Sequence, residues 1–209
     1  MFKGSNVALV TPFKNNKFDE ENYIKIINFH LKNNTNGLVP AGTTGESPTL
    51  NHNEHQKVID LCIKESNGKV PVIAGTGSNS TEEAISLTVH AEKAGADGAL
   101  IVTPYYNKPT QEGIYQHYAA IASNTNKDII LYNVPGRTAS NVLPATTLRL
   151  ANDFGNIIAV KEASGDMEQI MEIIMKRPEG FLVISGDDAL TLPILTVGGD
   201  GVISVVGNA

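Results

Sequence analysis

Residues 157–163 read Ile-Ile-Ala-Val-Lys-Glu-Ala, in which four apolar residues lead directly into a lysine and a glutamate. A continuous apolar run of this kind is typical of a strand that is buried on both faces, as the strands of parallel sheets are. Seven more short runs lie along the chain, with centres about 20–35 residues apart, which is the spacing of strands that alternate with helices. They cover residues 6–11, 37–42, 70–75, 98–104, 128–133, 181–186 and 201–206.

The segments between these runs carry helical patterns. In residues 20–31 the apolar side chains recur at helical spacing. Two segments open with Asn51 or Ser80, each followed three positions later by Glu54 or Glu83, which predicts a capping box at both helix starts. Seven helices are predicted in total, over residues 20–31, 51–64, 80–94, 111–123, 144–151, 167–176 and 189–197.

Eight strands in strict alternation with seven helices favour a TIM (β/α)8 barrel. A doubly wound open sheet gives the same local pattern, but no Gly-x-Gly-x-x-Gly run follows the first strand. No linker divides residues 1–209, so we predict one barrel domain. The pattern ends after strand eight without an eighth helix. We therefore expect either another chain to cover the outer strand surface there, or the sequence to be part of a longer protein.

The composition indicates which kinds of binding partner and which cellular compartment suit this protein. The chain has 16 Lys plus Arg against 22 Asp plus Glu and a net charge of −6, without the basic patch that nucleic acids and anionic membranes require. No apolar run is long enough for a transmembrane helix, and the N-terminus lacks a signal-peptide pattern. A single cysteine, Cys62, excludes a disulfide framework and a cysteine-based zinc site. We expect a reducing, cytoplasmic compartment.

Lys161 is the most informative polar residue of the predicted barrel mouth. An ammonium group inside an apolar strand is costly unless it is paired or loses its proton. Burial lowers a lysine pKa, and a neutral amine can attack a carbonyl to form a Schiff base. The alternative is a structural lysine paired with Glu162 or Asp187. Neighbours in a strand point to opposite faces, so Glu162 is a poor partner within that strand.

Other polar residues follow the predicted strand ends. Tyr132 places a phenol on an apolar strand, where it either donates a single structural hydrogen bond or transfers protons beside a reacting group. Thr43 and Thr44 lie between glycines, in a tight turn or in a nest of N–H groups that holds a carboxylate. Arg137 follows Pro-Gly and is either a solvated charge or a carboxylate fork. Together these residues describe an amine, a proton shuttle and two anion sites on one face.

Three motifs then give the sequence a family resemblance. The runs 42–46 (Gly-Thr-Thr-Gly-Glu), 132–138 (Tyr-Asn-Val-Pro-Gly-Arg-Thr) and 160–165 (Val-Lys-Glu-Ala-Ser-Gly) resemble the 4-hydroxy-tetrahydrodipicolinate synthase, or dihydrodipicolinate synthase, family. Its members are pyruvate-dependent class I aldolase-type lyases of lysine and diaminopimelate biosynthesis. The resemblance implies condensation of pyruvate with L-aspartate-4-semialdehyde through a Schiff base, without a metal or organic cofactor.

The resemblance also implies roles for the catalytic residues. Lys161 would form the Schiff base with C2 of pyruvate, and Tyr132 would transfer protons. Thr43 would link Tyr132 to Tyr106 in a relay, with Tyr106 supplied by the neighbouring subunit of a homodimer or homotetramer.

Substrate-binding roles follow in the same way. Thr44 would hold the pyruvate carboxylate, and Arg137 would receive the carboxylate of the second substrate. Gly186 and Ile203 would line the pyruvate pocket with their backbone. Sialic acid (N-acetylneuraminate) lyases and 2-keto-3-deoxy sugar acid aldolases share the barrel, the tyrosine and the lysine. They usually differ at the position of Thr43 and lack the Pro-Gly-Arg-Thr run.

Two further expectations come from the resemblance. Lysine-inhibited members bind L-lysine at the dimer interface, and the matching positions are Ser47, Pro48, His52, His55, Asn79, Glu83 and Tyr106. Family chains continue past strand eight into further helices, so the chain resembles a C-terminally truncated member. An inactive truncated barrel is therefore an alternative to an active enzyme.

Overall fold

A computed structural model describes residues 1–209. Eight parallel strands form the inner wall of a barrel. The strands are β1 Gly4–Ala8, β2 Gly37–Val39, β3 Ile73–Gly75, β4 Gly98–Val102, β5 Asp128–Asn133, β6 Ile157–Glu162, β7 Leu182–Ser185 and β8 Gly201–Ser204. They pair in the order β2-β1-β8-β7-β6-β5-β4-β3. A parallel bridge between Leu38 and Val72 joins the last strand of this order to the first.

This topology confirms the predicted TIM barrel. In a doubly wound sheet the first and last strands would lie apart, whereas here β1 pairs with β8 from Gly4–Gly201 to Val7–Ser204. Seven helices alternate with the strands: α1 Glu20–Lys32, α2 His52–Ser66, α3 Thr81–Ala94, α4 Gln111–Ala122, α5 Pro144–Asp153, α6 Met167–Lys176 and α7 Thr191–Thr196. The sequence pattern did not predict the hairpin Phe13–Lys14/Lys17–Phe18 or the short helix Pro135–Thr138.

Of the two predicted capping boxes, one forms completely. At α2 the Asn51 side chain accepts from the Glu54 N–H, and the Glu54 carboxylate accepts from the Asn51 N–H. At α3 the Ser80 side chain accepts from the Glu83 N–H, but the reciprocal bond is missing. The Glu83 carboxylate instead accepts from Ser78 and contacts His52, so the prediction of a box at Ser80 is half wrong.

Apolar side chains fill the barrel on both sides of its wall. The interior cluster includes Phe2, Ile73, Ile130, Ile184 and Ile203. Two larger clusters lie between the strands and the surrounding helices. Strand residues therefore point alternately into the barrel and into the helix layer, which is why the strands are apolar without interruption.

Apolar side chains are exposed around the eighth strand. Val205 and Val206 follow β8 and are 46 % and 66 % exposed, and Leu192 on α7 is 74 % exposed. The Asn208 amide donates to the Ala8 carbonyl and ties this segment to β1. None of the helices has the length and apolar character needed to span a bilayer.

The junction of β2 and β3 depends on a glycine. The Gly75 N–H donates to the Pro40 carbonyl at 2.9 Å, and a Cβ at Gly75 would lie 2.3 Å from the Ala41 carbonyl oxygen. No side chain fits there without separating two backbone segments. The close approach of these two segments therefore favours glycine at residue 75.

We expect Gly75→Ala to lower the free energy of unfolding by about 1–3 kcal/mol, because the added methyl group forces the backbone apart. Urea unfolding measures this change. Gly155→Ala is the matched control, since a Cβ there meets no atom within 4 Å. Equal midpoints for Gly75→Ala and the unmodified chain would contradict the account of this junction.

Candidate active site

A cavity of about 1620 Å³ opens at the carboxyl ends of the strands. This is the face on which the active sites of TIM barrels lie. It is lined by predicted site residues from five of the strand-end loops or strands, namely Thr43, Thr44, Tyr106, Tyr132, Arg137, Lys161 and Gly186. Ile203 is not among the residues that line the cavity, and its side chain is completely buried in the interior cluster.

Lys161 extends from the end of β6 towards this cavity and is 4 % exposed. It pairs in register with Tyr132 on β5, and its Nζ lies 4.2 Å from the centroid of the Tyr132 ring. Burial lowers the pKa of Lys161 to about 8. Asp188 acts in the opposite direction, and the Arg137 charge lowers the pKa further. At neutral pH a larger fraction of this amine is therefore neutral than in a lysine with an ordinary pKa.

The structural alternative for Lys161 is wrong. Glu162 points to the other face of β6, where its carboxylate accepts from Asn133 and Ser164. The Asp187 carboxylate accepts from the Ala189 N–H. Neither predicted partner forms an ion pair with Lys161, and the amine remains available for chemistry.

Gly186 makes room for the lysine side chain. A Cβ at this position would lie 2.8 Å from Cε of Lys161 and 2.9 Å from Cβ of Ala163. The Gly186 N–H donates to the Glu162 carbonyl, which fixes the backbone close to β6. Sequence reasoning placed Gly186 at the pocket wall but missed this steric role, because the contact joins two different strands.

Tyr132 is buried among the interior residues at 7 % exposure. Burial raises the pKa of the Tyr132 phenol, while the Arg137 charge and the Thr43 hydroxyl lower it. The phenol therefore stays protonated at neutral pH and lies between a cation and a hydroxyl group. This surrounding suits a group that gives and receives a proton.

The Thr43–Thr44 turn presents free donors to the cavity. The N–H groups of Gly45, Glu46 and Ser47 close the turn through carbonyl groups of residues 42 and 43. The N–H groups of Thr43 and Thr44 make no backbone hydrogen bond. The Thr11 hydroxyl holds the turn in place by donating to the Gly45 carbonyl at 2.7 Å. Such a turn can hold a carboxylate through its N–H groups.

Arg137 and Tyr106 stand at the mouth of the cavity. Arg137 lies on the short helix after β5, and its side chain is exposed. Tyr106 is 89 % exposed and has a left-handed backbone with φ of 72°. Its N–H donates to the Thr138 carbonyl, which connects the two loops. Within one chain the Tyr106 ring thus projects into solvent.

Asp188 is a cavity residue that the sequence did not single out. Its carboxylate accepts from the Ser204 hydroxyl at 2.5 Å and from the N–H groups of Val205 and Val206. The pKa of Asp188 is lowered by these donors and by Lys161, against the effect of burial. The adjacent aspartates 187 and 188 gave no local signal to tell which of them faces the lysine.

A polar cluster lies at another part of the same cavity. His52 Nε2 is 2.8 Å from the Glu83 carboxylate, which also accepts from Ser78. Buried His55 bonds the Gly75 carbonyl through Nε2. Ser47, Pro48, His52, His55 and Glu83 line the cavity, whereas Asn79 does not and instead donates to the Tyr105 carbonyl.

The converging groups are suited to carbonyl chemistry. No three His, Cys, Asp or Glu side chains of the structure are arranged to hold a metal ion. An amine, a phenol, a guanidinium group and free N–H donors surround one cavity. These groups can attack a ketone, transfer a proton and hold carboxylates.

Burying the Lys161 amine destabilises the folded chain at neutral pH. Since its folded pKa of about 8 lies below the ordinary 10.5, the unfolded chain binds one more proton between these values. We expect Lys161→Met to increase the free energy of unfolding by about 3 kcal/mol at pH 7. This difference in the free energy of unfolding should shrink as the pH rises from 8 to 10.5, and urea titrations at the two pH values measure it. Lys64→Met, on exposed surface, is the control and should show no such trend. An advantage equal at both pH values would contradict the lowered pKa.

Comparison with known proteins identifies relatives over the whole chain. The Dihydrodipicolinate synthetase family model matches residues 1–209. A 4-hydroxy-tetrahydrodipicolinate synthase of Pelagibacter ubique is 62 % identical over 208 residues, covering 100 % of this chain and 71 % of the relative.

Solved structures agree with this relation. Dihydrodipicolinate synthase from Aquifex aeolicus has a TM-score of 0.98 at 50 % identity, covering 99 % of this chain and 71 % of that one. Dihydrodipicolinate synthase from Cyanidioschyzon merolae with lysine bound has a TM-score of 0.97 at 44 % identity, over 99 % and 71 %. With its sequence matched from end to end and its fold shared with these enzymes, the chain belongs to the dihydrodipicolinate synthetase family.

Proposed function

We propose that this chain is a 4-hydroxy-tetrahydrodipicolinate synthase, which condenses pyruvate with L-aspartate-4-semialdehyde in lysine and diaminopimelate biosynthesis. The observation that carries the proposal is the Lys161 amine, which is buried at the barrel mouth without a salt bridge and has a pKa of about 8. The family to which the chain belongs supplies the two substrates, which the cavity by itself does not specify.

The reaction begins with the neutral Lys161 amine. It attacks C2 of pyruvate, and loss of water leaves an iminium ion with a bond between Nζ and C2. The iminium draws electrons from the neighbouring C–H bonds, so a methyl proton leaves and an enamine forms. The enamine carbon then attacks the aldehyde carbon of the semialdehyde, which forms the new carbon–carbon bond and restores the iminium. The amino group of the semialdehyde then attacks C2 and displaces Lys161 Nζ, which closes the ring and frees the amine. Lys161 itself acts as the electron sink.

Tyr132 is the proposed proton shuttle for these steps. Its ring contacts Lys161, and its pKa responds to the Thr43 hydroxyl. A relay from Tyr132 through Thr43 to Tyr106 requires a second copy of the chain, in a homodimer or homotetramer. The 89 % exposure of the Tyr106 ring leaves it free to reach a neighbouring subunit.

Two anion sites separate the carboxylates of the substrates. The free N–H groups at Thr43 and Thr44 would hold the pyruvate carboxylate next to Lys161. Arg137, exposed at the mouth, would bind the carboxylate of the semialdehyde. Gly186 leaves space for the lysine side chain, and Ile203 would shape the floor below the pocket.

Sugar acid aldolases are the alternative, and Arg137 together with Thr43 favours the synthase. The buried free thiol of Cys62 is compatible with a cytoplasmic, reducing compartment.

Borohydride trapping tests the proposed Schiff base. Incubation with pyruvate and borohydride should add one reduced pyruvate to Lys161, detected by intact mass and peptide mapping. The trapping rate should rise with pH around a midpoint of about 8, because only the neutral amine attacks. Lys161→Ala should give no adduct, and exposed Lys64→Ala should keep it. A folded sample without an adduct, or with an adduct elsewhere, would overturn the proposed function. A panel of aldehydes then identifies the acceptor.

Feedback inhibition by L-lysine is a second proposal for the cluster of Ser47, Pro48, His52, His55, Asn79 and Glu83. The Glu83 carboxylate, whose pKa is lowered by donors from Ser78 and His52, offers a negative charge to an ammonium group. The Cyanidioschyzon merolae relative was solved with lysine bound.

We expect L-lysine to lower the initial rate, and Glu83→Gln to weaken this inhibition by about tenfold, because a charged hydrogen bond is lost. Initial rates at rising lysine concentration measure both effects. D-lysine is the control for non-specific effects of ionic strength. An initial rate that stays unchanged at saturating L-lysine, in an active preparation, would contradict this regulatory proposal.

A further inference from the structure

A buried polar network lies behind the two strands that carry Lys161 and Tyr132. Glu162 and Asn133 are each completely buried and pair in register, one residue beyond Lys161 and Tyr132. Because side chains alternate along a strand, these two point away from the cavity into the helix layer. The proposed reaction does not use either of them directly.

The Glu162 carboxylate receives only hydrogen-bond donors. Asn133 Nδ2 donates to Oε1 at 2.5 Å, the Ser164 hydroxyl donates to Oε2, and Gln169 Nε2 donates at 3.3–3.4 Å. No lysine or arginine takes part in these contacts. Burial raises the pKa of Glu162 above its ordinary value, and the hydrogen bonds from these donors offset only part of that rise.

The orientation of these donors is fixed by the groups around them. The Val142 N–H donates to Asn133 Oδ1 at 3.1 Å, so the Asn133 amide must direct its N–H groups towards Glu162 and Asn141. The Asn141 amide in turn donates to Gln169 Oε1, which directs the Gln169 N–H groups to Glu162. Neither amide can rotate without losing another bond. The two amides therefore present fixed donors to the Glu162 carboxylate, and the Ser164 hydroxyl supplies a third.

The same contacts join the segments that carry Tyr132, Lys161 and Arg137. Asn133 lies on β5 with Tyr132, and Glu162 lies on β6 with Lys161. Asn141 and Val142 belong to the loop that follows the Arg137 helix, and Gln169 lies on α6. A network of this kind determines how the ends of β5 and β6 lie relative to each other. The 4.2 Å separation between the Lys161 amine and the Tyr132 ring depends on that arrangement.

We propose that Glu162, held as an anion by Asn133, is a positioning residue that keeps Lys161 beside Tyr132 for imine formation. This inference rests on the proposed Schiff-base function. The turn that would hold the pyruvate carboxylate, at Thr43 and Thr44, lies between β2 and α2, outside the network. Loss of the network should thus affect the chemical step more than substrate binding.

The first test is E162Q, which keeps the shape of the side chain and removes the negative charge that the surrounding donors share. We expect kcat with pyruvate and L-aspartate-4-semialdehyde to fall about tenfold, because small displacements of reacting groups reduce rates strongly. KM for pyruvate should stay within about twofold. The rate of borohydride trapping at saturating pyruvate should fall in parallel with kcat. Unchanged kcat and trapping rate in folded E162Q would overturn the inference.

The second test is the exchange of donor and acceptor in E162Q/N133D. There the new amide can donate to the new carboxylate, and joint rotation of the Asn141 and Gln169 amides restores the donor–acceptor pairing between them. We expect the double variant to recover at least about threefold of the kcat lost in either single variant. If Glu162 and Asn133 affected kcat independently of each other, the two losses would be additive. Additive losses would overturn the inference.

Thr88→Val is the matched control for lost stability. Thr88 is buried on α3 and bonds Thr76 and the Ala84 carbonyl, away from β5 and β6. It should lower the melting temperature without changing the trapping rate, and an equal loss of trapping in Thr88→Val would overturn the positioning role.

If E162Q does not fold, Q169M replaces it as the test, since this substitution removes one donor from Glu162. An unchanged kcat in Q169M then overturns the inference. Failure of the unmodified chain to form any adduct would instead refute the proposed function itself.

Discussion

Burial of the Lys161 amine without a salt bridge is the constraint on which the rest of the site depends. A charged amine in this position costs free energy, and its pKa of about 8 is the measure of that cost. The interior cluster excludes water beneath the amine, and Gly186 leaves space for the side chain. The barrel accepts a locally unfavourable residue because the many apolar contacts of its wall supply the stability.

Because side chains alternate along β5 and β6, polar groups that face the cavity are separated from polar groups that face the helices. Residues facing the cavity are left without strong partners, as Lys161 is, whereas residues facing the helices have every donor and acceptor matched, as Glu162 has. Unmatched groups can react, and matched groups hold the backbone still. One strand thus carries both a reactive and a fixed charge at successive positions.

Contacts that side chains make at the cavity also explain where the local structure departs from the regular pattern. Glu83 leaves the capping box of α3 and turns to Ser78 and His52, which places its carboxylate at the cavity. The capping residue Asn51 has no such demand, and its box is complete. In the same way Tyr106 has a left-handed backbone, with its ring in solvent, on the loop that meets the Arg137 helix.

The sequence alone predicted the barrel, with its eight strands and seven helices within a few residues, and indicated Lys161 as the candidate reactive group. These follow from periodicity and from the cost of a lysine in an apolar run, which are local properties of the chain. Only the tertiary structure decided that Gly186 accommodates Lys161, that Asp188 rather than Asp187 faces it, and that Ile203 lies below the cavity. It also decided which donors surround Glu162. These contacts join residues from different strands, so their geometry is set by barrel closure and not by spacing along the chain.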